Sequence, residues 1–184
     1  MALFTGKGDD GTTYFFGSKA RFAKDTPLVE ALGTLDELNS LLGYLKAQIW
    51  QLGGKASKSK LEISDKEIIE EIQQNLFIIQ AELAGADMCI TEDKVLKAGK
   101  LVNDVEKKLP PIKTFFVPGA NETSALFDLA RTVARRAERR VVALNLEPKV
   151  SSKHTLAYLN RLSSVLYAMA RLRAGKKEVK PNYK

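Results

Sequence analysis

Residues 124–146 read SALFDLARTVARRAERRVVALNL, and two patterns run through them at once. Leu126, Leu129, Val133, Ala137, Val141 and Leu144 recur at threes and fours, the apolar stripe of an amphipathic helix. Arg131, Arg135 and Arg139 recur every fourth residue, so on that helix they rise along one face, a turn apart, with Arg136 and Arg140 beside them. Thr123 or Ser124 can cap the start, and neither Gly nor Pro interrupts the run before Pro148. Like charges at this spacing repel by about 0.2–0.5 kcal/mol per pair. Asp128 and Glu138 offset only part of that. One reading is a solvated surface with intrahelical pairs Asp128–Arg131 and Arg135–Glu138. The other is a ladder that holds an anionic partner.

Working outward from this helix, the pattern repeats. Residues 152–173 place Leu156, Leu159, Leu162, Leu166 and Met169 on one face, with Asn160 and Arg161 near the middle. Only a short turn around Pro148 joins this helix to the arginine helix, so the two should pack side by side. Upstream, IKTFFVPGANET (112–123) is bounded by Pro111, Pro118 and Gly119, which argues against helix. FFVPG suits a short strand, but the rest of the chain offers it no partner. A shorter helix fits 92–109 and stops at Pro110-Pro111. Before it, a helix should start at Ser64 or Asp65 and run to about residue 90. Ser64 and Glu67 form a capping box there, and Ile68, Ile72, Leu76, Ile79 and Leu83 face inward. The first helix spans about 27–50, with Val29, Leu32, Leu35, Leu38, Leu42, Leu45 and Ile49 as its stripe. Asp25 or Thr26 caps it, and Pro27 fills its first position. Gly33 and Gly43 weaken that helix, which suggests close approach of another backbone. GGKASKSKLEIS (53–64) reads as a surface loop. Five helical segments without a convincing strand predict an all-α, up-and-down five-helix bundle of the ferritin-like kind, in a single domain over 1–184.

The segment TGKGDDGTTYFFG (5–17) differs from everything after it. Gly6, Gly8, Gly11 and Gly17 preclude a stable helix, and such a loop can turn its N–H groups and hydroxyls toward an anion. The P-loop pattern fails, because Gly17-Ser18-Lys19 lacks both the spacing and the final hydroxyl.

Composition narrows the chemistry. At 184 residues, 45% hydrophobic and 28% charged, the chain is an ordinary globular size and balance. No apolar run approaches the ~20 residues of a membrane span, and MALFTGKGDD lacks a signal-peptide core, so a cytoplasmic location is expected. The net charge of +7 favours anionic ligands, and part of it sits in a basic tail over 174–184 that reads as mobile. The single cysteine, Cys89, excludes an intramolecular disulfide and a multi-cysteine metal site. Its neighbours Ala86, Met88 and Ile90 suggest a buried structural thiol. The single histidine, His154, has no glutamate three residues before it, so neither a di-iron site nor a Ser-His-Asp arrangement can be assembled. What remains is arginine, lysine, backbone N–H and carboxylate, the means of positioning a polyphosphate.

TGKGDDGTT, VEALGTLDELNSLLG, RTVARRAERRVVALN and YLNRLSSVLY, in this order and separation, resemble the PduO-type ATP:cob(I)alamin adenosyltransferases from about residue 5 to residue 173. The resemblance implies a five-helix bundle that assembles as a homotrimer and binds ATP and a corrinoid at subunit interfaces. It implies transfer of the 5′-deoxyadenosyl group of ATP, supplied with Mg²⁺, to the cobalt of reduced cobalamin, releasing inorganic triphosphate. No protein side chain is implied as a metal ligand. Thr5, Gly6, Lys7, Gly8 and Thr13 would wrap the phosphates, with Lys24 following. Arg131, Arg135, Arg136, Glu138, Arg139 and Asn160 occupy the nucleotide-contacting positions. Asp36 would pair with Arg135 across a subunit boundary. Phe115 matches the phenylalanine that displaces the lower axial ligand of the corrinoid, with Phe116 as its alternate in register.

Two departures stand out: Asp10 replaces the usual lysine of GDKG, and the chain ends in KKEVKPNYK without the aromatic-bearing tail that some members fold over the corrinoid. A reductase and an adenosylcobalamin-dependent acceptor enzyme are implied partners. From residues alone, two competing readings are a basic helical nucleic-acid-binding module, whose affinity would fall steeply with salt, and a non-catalytic scaffold that binds no ATP.

Overall fold

The computed structural model describes residues 4–15, 20–51, 63–144 and 151–183. The expected loop over 53–62, the turn around Pro148 and the Gly17-Ser18-Lys19 stretch lie outside the described residues. Five helices follow a small hairpin: α1 Pro27–Gln51, α2 Asp65–Leu83, α3 Glu92–Glu106, α4 Glu122–Leu144 and α5 Lys153–Ala174. The hairpin pairs β1 Thr12–Thr13 antiparallel with β2 Phe22–Ala23, two short strands that sequence reading did not foresee.

Cross-helix bonds fix the directions. Lys46 meets Glu70 and the Asn39 carbonyl accepts from Gln73 Nε2, while Arg136 meets Glu37 and Arg140 meets Glu30, so α2 and α4 both run antiparallel to α1. Asn160 meets Glu138 and Tyr167 meets Arg131, which sets α5 antiparallel to α4, and these two helices make the most extensive helix–helix contact. The bundle is therefore up-and-down, as expected. Small buried residues on α4, namely Ala130, Ala134 and Ala137, let its axis approach its neighbours closely.

The core is the set of stripes read from the sequence, with additions. Leu35, Leu38, Leu42 and Leu45 are fully buried, each worth about 2 kcal/mol of transfer free energy. Ile68, Ile72, Leu76, Ile79 and Leu83 face inward on α2. On α4 the stripe shifts: Leu129 is exposed, and Phe127 with Ala130 and Ala134 takes the interior. Phe127 lies one position off the face chosen from leucines and valines, so its burial was missed.

Caps show where local chemistry suffices. The Ser64–Glu67 capping box forms as read: Glu67 N donates to Ser64 Oγ (3.3 Å) and Ser64 N donates to Glu67 Oε2 (2.8 Å). Helix α4 begins earlier than expected. Ser124 N donates to Asn121 Oδ1 (2.9 Å), so Asn121 is the cap rather than Thr123 or Ser124. Helix α2 ends at Leu83 and not near residue 90, because Gly85 takes a left-handed φ of 93°, the usual helix stop. That early end leaves Cys89 on a connecting segment and exposed, which corrects the expectation of a buried thiol.

Gly33 meets nothing and Gly43 meets only the Gln73 side chain, so neither marks a close backbone approach. No helix among the described residues is long and apolar enough to cross a membrane.

Candidate functional site

The geometry of α4 sorts its arginines by edge. Arg136 and Arg140 point toward α1, where the Glu37 and Glu30 carboxylates receive them. Arg131, Arg135 and Arg139 rise along the other edge, as four-residue spacing requires. Arg131 Nε donates to Asp128 Oδ1 (2.6 Å), and its guanidinium lies 5.8 Å from the centre of the Tyr167 ring on α5. Arg139 Nη1 donates to the Arg135 carbonyl (3.1 Å). Among the described residues Arg135 and Arg139 meet no carboxylate. The expected Asp128–Arg131 pair forms, whereas Glu138 turns from Arg135 to accept from Asn160 Nδ2 (2.9 Å). Two residues singled out separately in the sequence, Glu138 and Asn160, thus meet across α4 and α5.

Arg131 and Arg135 line a cavity of about 560 Å³ whose other walls are the 112–118 connection and α5. Phe115 and Phe116 enter it from the connection, Ser163, Ser164 and Tyr167 from α5. Its size suits a drug-sized ligand, and it presents an aromatic wall against a cationic one. Phe115 is 76% exposed, unusual for a phenylalanine that is not packed by its own chain. Phe116 lines the same cavity but is half-buried, with the Arg171 guanidinium 4.7 Å from its ring centre. Of the two, Phe115 is the more exposed.

Sequence reasoning missed Tyr167, Ser163 and Ser164. Their signal was available, since they lie three, four and seven residues beyond Asn160 and so share its face of α5. The supposed lack of a partner for FFVPG is also corrected: Val117 N donates to Val179 O (2.8 Å) in an antiparallel bridge. The basic tail, expected to be mobile, is tied back at that point.

The glycine-rich segment forms a compact loop. Asp9 N donates to Gly6 O and Gly11 N to Gly8 O, two successive turns flanked by left-handed glycines, with φ of 67° at Gly6 before the first and 78° at Gly11 closing the second. Lys24 Nζ donates to Gly8 O (2.7 Å), and Arg21 reaches the Lys7 carbonyl, Thr12 and Asp10. Asp10 Oδ1 accepts from Thr12 N (2.9 Å) and Thr12 Oγ1 (2.6 Å). Those Thr12 bonds, with Arg21 nearby, hold the Asp10 carboxyl below the usual carboxylate range against a small opposing effect of burial. Asp10 therefore acts as a loop anchor, and its negative charge is already engaged by the loop.

Thr5 and Lys7 are exposed and Thr13 half-buried in the hairpin. The hydrogen bonds of this loop close within it, not onto α4. Asp36 is exposed on α1 and meets no partner among the described residues. The single chain thus brings Arg131, Arg135, Phe115 and Phe116 to one cavity and leaves the glycine loop and Asp36 elsewhere. Among the described residues no group of His, Cys, Asp or Glu gathers closely enough to hold a metal ion.

A family profile described as cobalamin adenosyltransferase matches residues 3–173. The corrinoid adenosyltransferase PduO of Citrobacter freundii is 37% identical over 179 residues, covering 93% of this chain and 49% of that protein. A corrinoid adenosyltransferase of Bacillus subtilis is 36% identical, covering 94% of this chain and 86% of its own length. The chain spans about half the length of the curated PduO relatives it matches. Among solved structures, a PduO-type ATP:corrinoid adenosyltransferase from Lactobacillus reuteri, a phenylalanine-to-alanine variant complexed with cobalamin and ATP, superposes with a TM-score of 0.81. It is 28% identical and covers 100% of this chain and 99% of that one. A phenylalanine-to-histidine variant, also complexed with cobalamin and ATP, has a TM-score of 0.78 at 30% identity, covering 93% and 90%.

Proposed function

The chain belongs to the cobalamin adenosyltransferase family, and on that premise we propose that it transfers the 5′-deoxyadenosyl group of ATP to the cobalt of a reduced corrinoid. The observation that carries the reading is the shared cavity in which Arg131 and Arg135 face Phe115. Co(I) is a strong nucleophile, so its attack on the ribose C5′ needs orientation and a stabilised leaving group rather than a general base. A Co–C bond forms, the C5′–O bond breaks, and its electron pair leaves with triphosphate.

Arg135 and Arg139, uncommitted to carboxylates, bind and spread the charge of the leaving polyphosphate, with Arg131 held ready by Asp128. Glu138 and Asn160, already bonded to each other, face the nucleotide. Arg136 joins them by exchanging Glu37 for phosphate. Phe115 presses on the corrinoid, displacing its lower ligand and excluding water. Mg²⁺ enters with ATP as part of the substrate.

The glycine loop of Thr5, Gly6, Lys7 and Gly8, with Thr13 and Lys24, completes the phosphate site from a neighbouring copy in a homotrimer, where Asp36 meets Arg135. The single chain leaves that loop away from the ladder. It also leaves Tyr44, Trp50 and Phe77 exposed on α1 and α2, as a covered surface would. The domain division follows: a nucleotide-binding segment over 1–25, a bundle over 26–173 and a basic tail. A cytoplasmic location, a supplying reductase and an acceptor enzyme that consumes adenosylcobalamin belong to the same proposal.

The test is anaerobic incubation with ATP, Mg²⁺ and chemically reduced cobalamin, following corrinoid absorbance and released triphosphate. Adenosylcobalamin and triphosphate in equal amounts are expected; unchanged absorbance with ATP bound would overturn the reading.

A further inference from the structure

The connection that presents Phe115 belongs to no helix, yet it is fastened at both ends by residues from α5 and the chain's end. Arg171, one turn beyond Tyr167 on α5, is buried, 5% exposed along its side chain. Its Nε donates to Glu178 Oε1 (2.8 Å) and one Nη to Glu178 Oε2 (3.3 Å), a forked pair in which Glu178 is itself only 12% exposed. The same Nη donates to the Pro110 carbonyl (3.4 Å), where the connection begins. The guanidinium face lies over Phe116, beside Phe115 in sequence. One residue past Glu178, Val179 O accepts from Val117 N, on the other side of the phenylalanines. A tail of high charge is thus folded back so that one buried cation touches both the tail and the connection.

We propose that Arg171 and Glu178 are positioning residues for the reaction: they set the pose of the 112–118 connection and hence how Phe115 is presented to the corrinoid. This rests on the adenosyltransferase reading for its kinetic consequence, but not for the fastening itself. The physical reason is burial. An exposed Arg–Glu pair is loose and screened by water, whereas a buried forked pair holds one geometry because neither group has water to fall back on. Phe116 supplies a flat face that suits the planar guanidinium, and an ammonium cannot make the two-nitrogen fork onto Glu178, so lysine is no equivalent of Arg171 here. Displacing a substrate-positioning group by about 1 Å from outside the reacting atoms costs on the order of 100-fold in rate.

The experiment uses the full chain with Glu178→Ala and Glu178→Gln, and with Arg171→Lys as the third variant. Two readouts are taken. Amide hydrogen exchange within 112–118 of the free protein, read at Val117 whose N–H donates to Val179 O, should speed up at least tenfold in Glu178→Ala, less in Glu178→Gln, while exchange in α1 and α2 stays within twofold. In turnover, Glu178→Ala should raise the corrinoid KM and lower kcat, together about ten- to a hundredfold in kcat/KM. The ATP KM should stay within twofold. Arg171→Lys should resemble Glu178→Ala despite keeping the charge.

Unchanged exchange in 112–118 overturns the proposal. So does faster exchange spread evenly over all helices, or an equal rise in both KM values, since each marks a general loss of stability. If the wild-type chain shows no adenosyl transfer, the functional reading fails while the exchange result still decides whether this pair holds the connection.

Discussion

Arg136 and Arg140 lie on the α1 edge of α4, and each meets a carboxylate there, Glu37 and Glu30. Arg135 and Arg139 lie about a quarter-turn away and meet none among the described residues, while Arg135 lines a cavity. Residue type, helix and solvent are the same on both edges. What differs is the neighbour: α1 brings glutamates, whereas α5 brings Tyr167, two serines and an asparagine. A cation with an intramolecular partner contributes little beyond a surface ion pair, and one without is available to a ligand. An arginine-rich helix face is therefore not uniform: in this protein one edge of α4 is paired with carboxylates and, among the described residues, Arg135 and Arg139 on the other are not.

Substitutions along α4 test that division. Arg135→Ala should show the largest effect, a drop of about 10²–10³ in kcat for adenosyl transfer, with unchanged helical circular dichroism. Near-normal turnover would break the comparison at its centre. Arg136→Ala should fall between the edges, since this side chain must leave Glu37 to reach phosphate. The expected outcome is a roughly tenfold rise in ATP KM. Glu37→Gln alone, which frees the Arg136 side chain, should lower the ATP KM relative to wild type. Arg140→Ala should do least on α4, changing turnover within about twofold and stability by under ~1 kcal/mol in urea unfolding, the range of an exposed pair.

A fourth test concerns another committed arginine, Arg21, beside Asp10 in the glycine loop. Because the folded loop holds the Asp10 carboxyl below its ordinary value of 3.8, its stabilising contribution is fully present above that value. It is lost as pH falls through the depressed one. Loop amide protection near Thr12 should therefore persist to about pH 4 and fail only below it, and Asp10→Asn should weaken it already at pH 7.

How much of this was legible in advance varies with the range of the forces involved. The Ser64–Glu67 box, the inward isoleucines of α2 and the ladder spacing were legible because each depends on residues within about two helical turns. The glycine loop was recognisable as a loop but not as a hairpin: Thr12 pairs with Ala23 across eleven positions, and two-residue strands carry no periodicity. Cys89 was misplaced because apolar neighbours say nothing about where a helix stops, which Gly85 decides. The end of the chain misled most. Its lysines suggest a mobile tail, yet Glu178 and Val179 find partners that lie 7 and 62 residues away.

The chain by itself determined that there are five helices, which faces they bury, and that three arginines rise together along α4, since helical periodicity maps sequence spacing directly onto a surface. Only the tertiary structure decided which of the five arginines have carboxylates within reach, which of two adjacent phenylalanines is left presented, and what holds their connection in place. Those outcomes depend on side chains brought together from distant parts of the chain, and no local spacing encodes the distance between them.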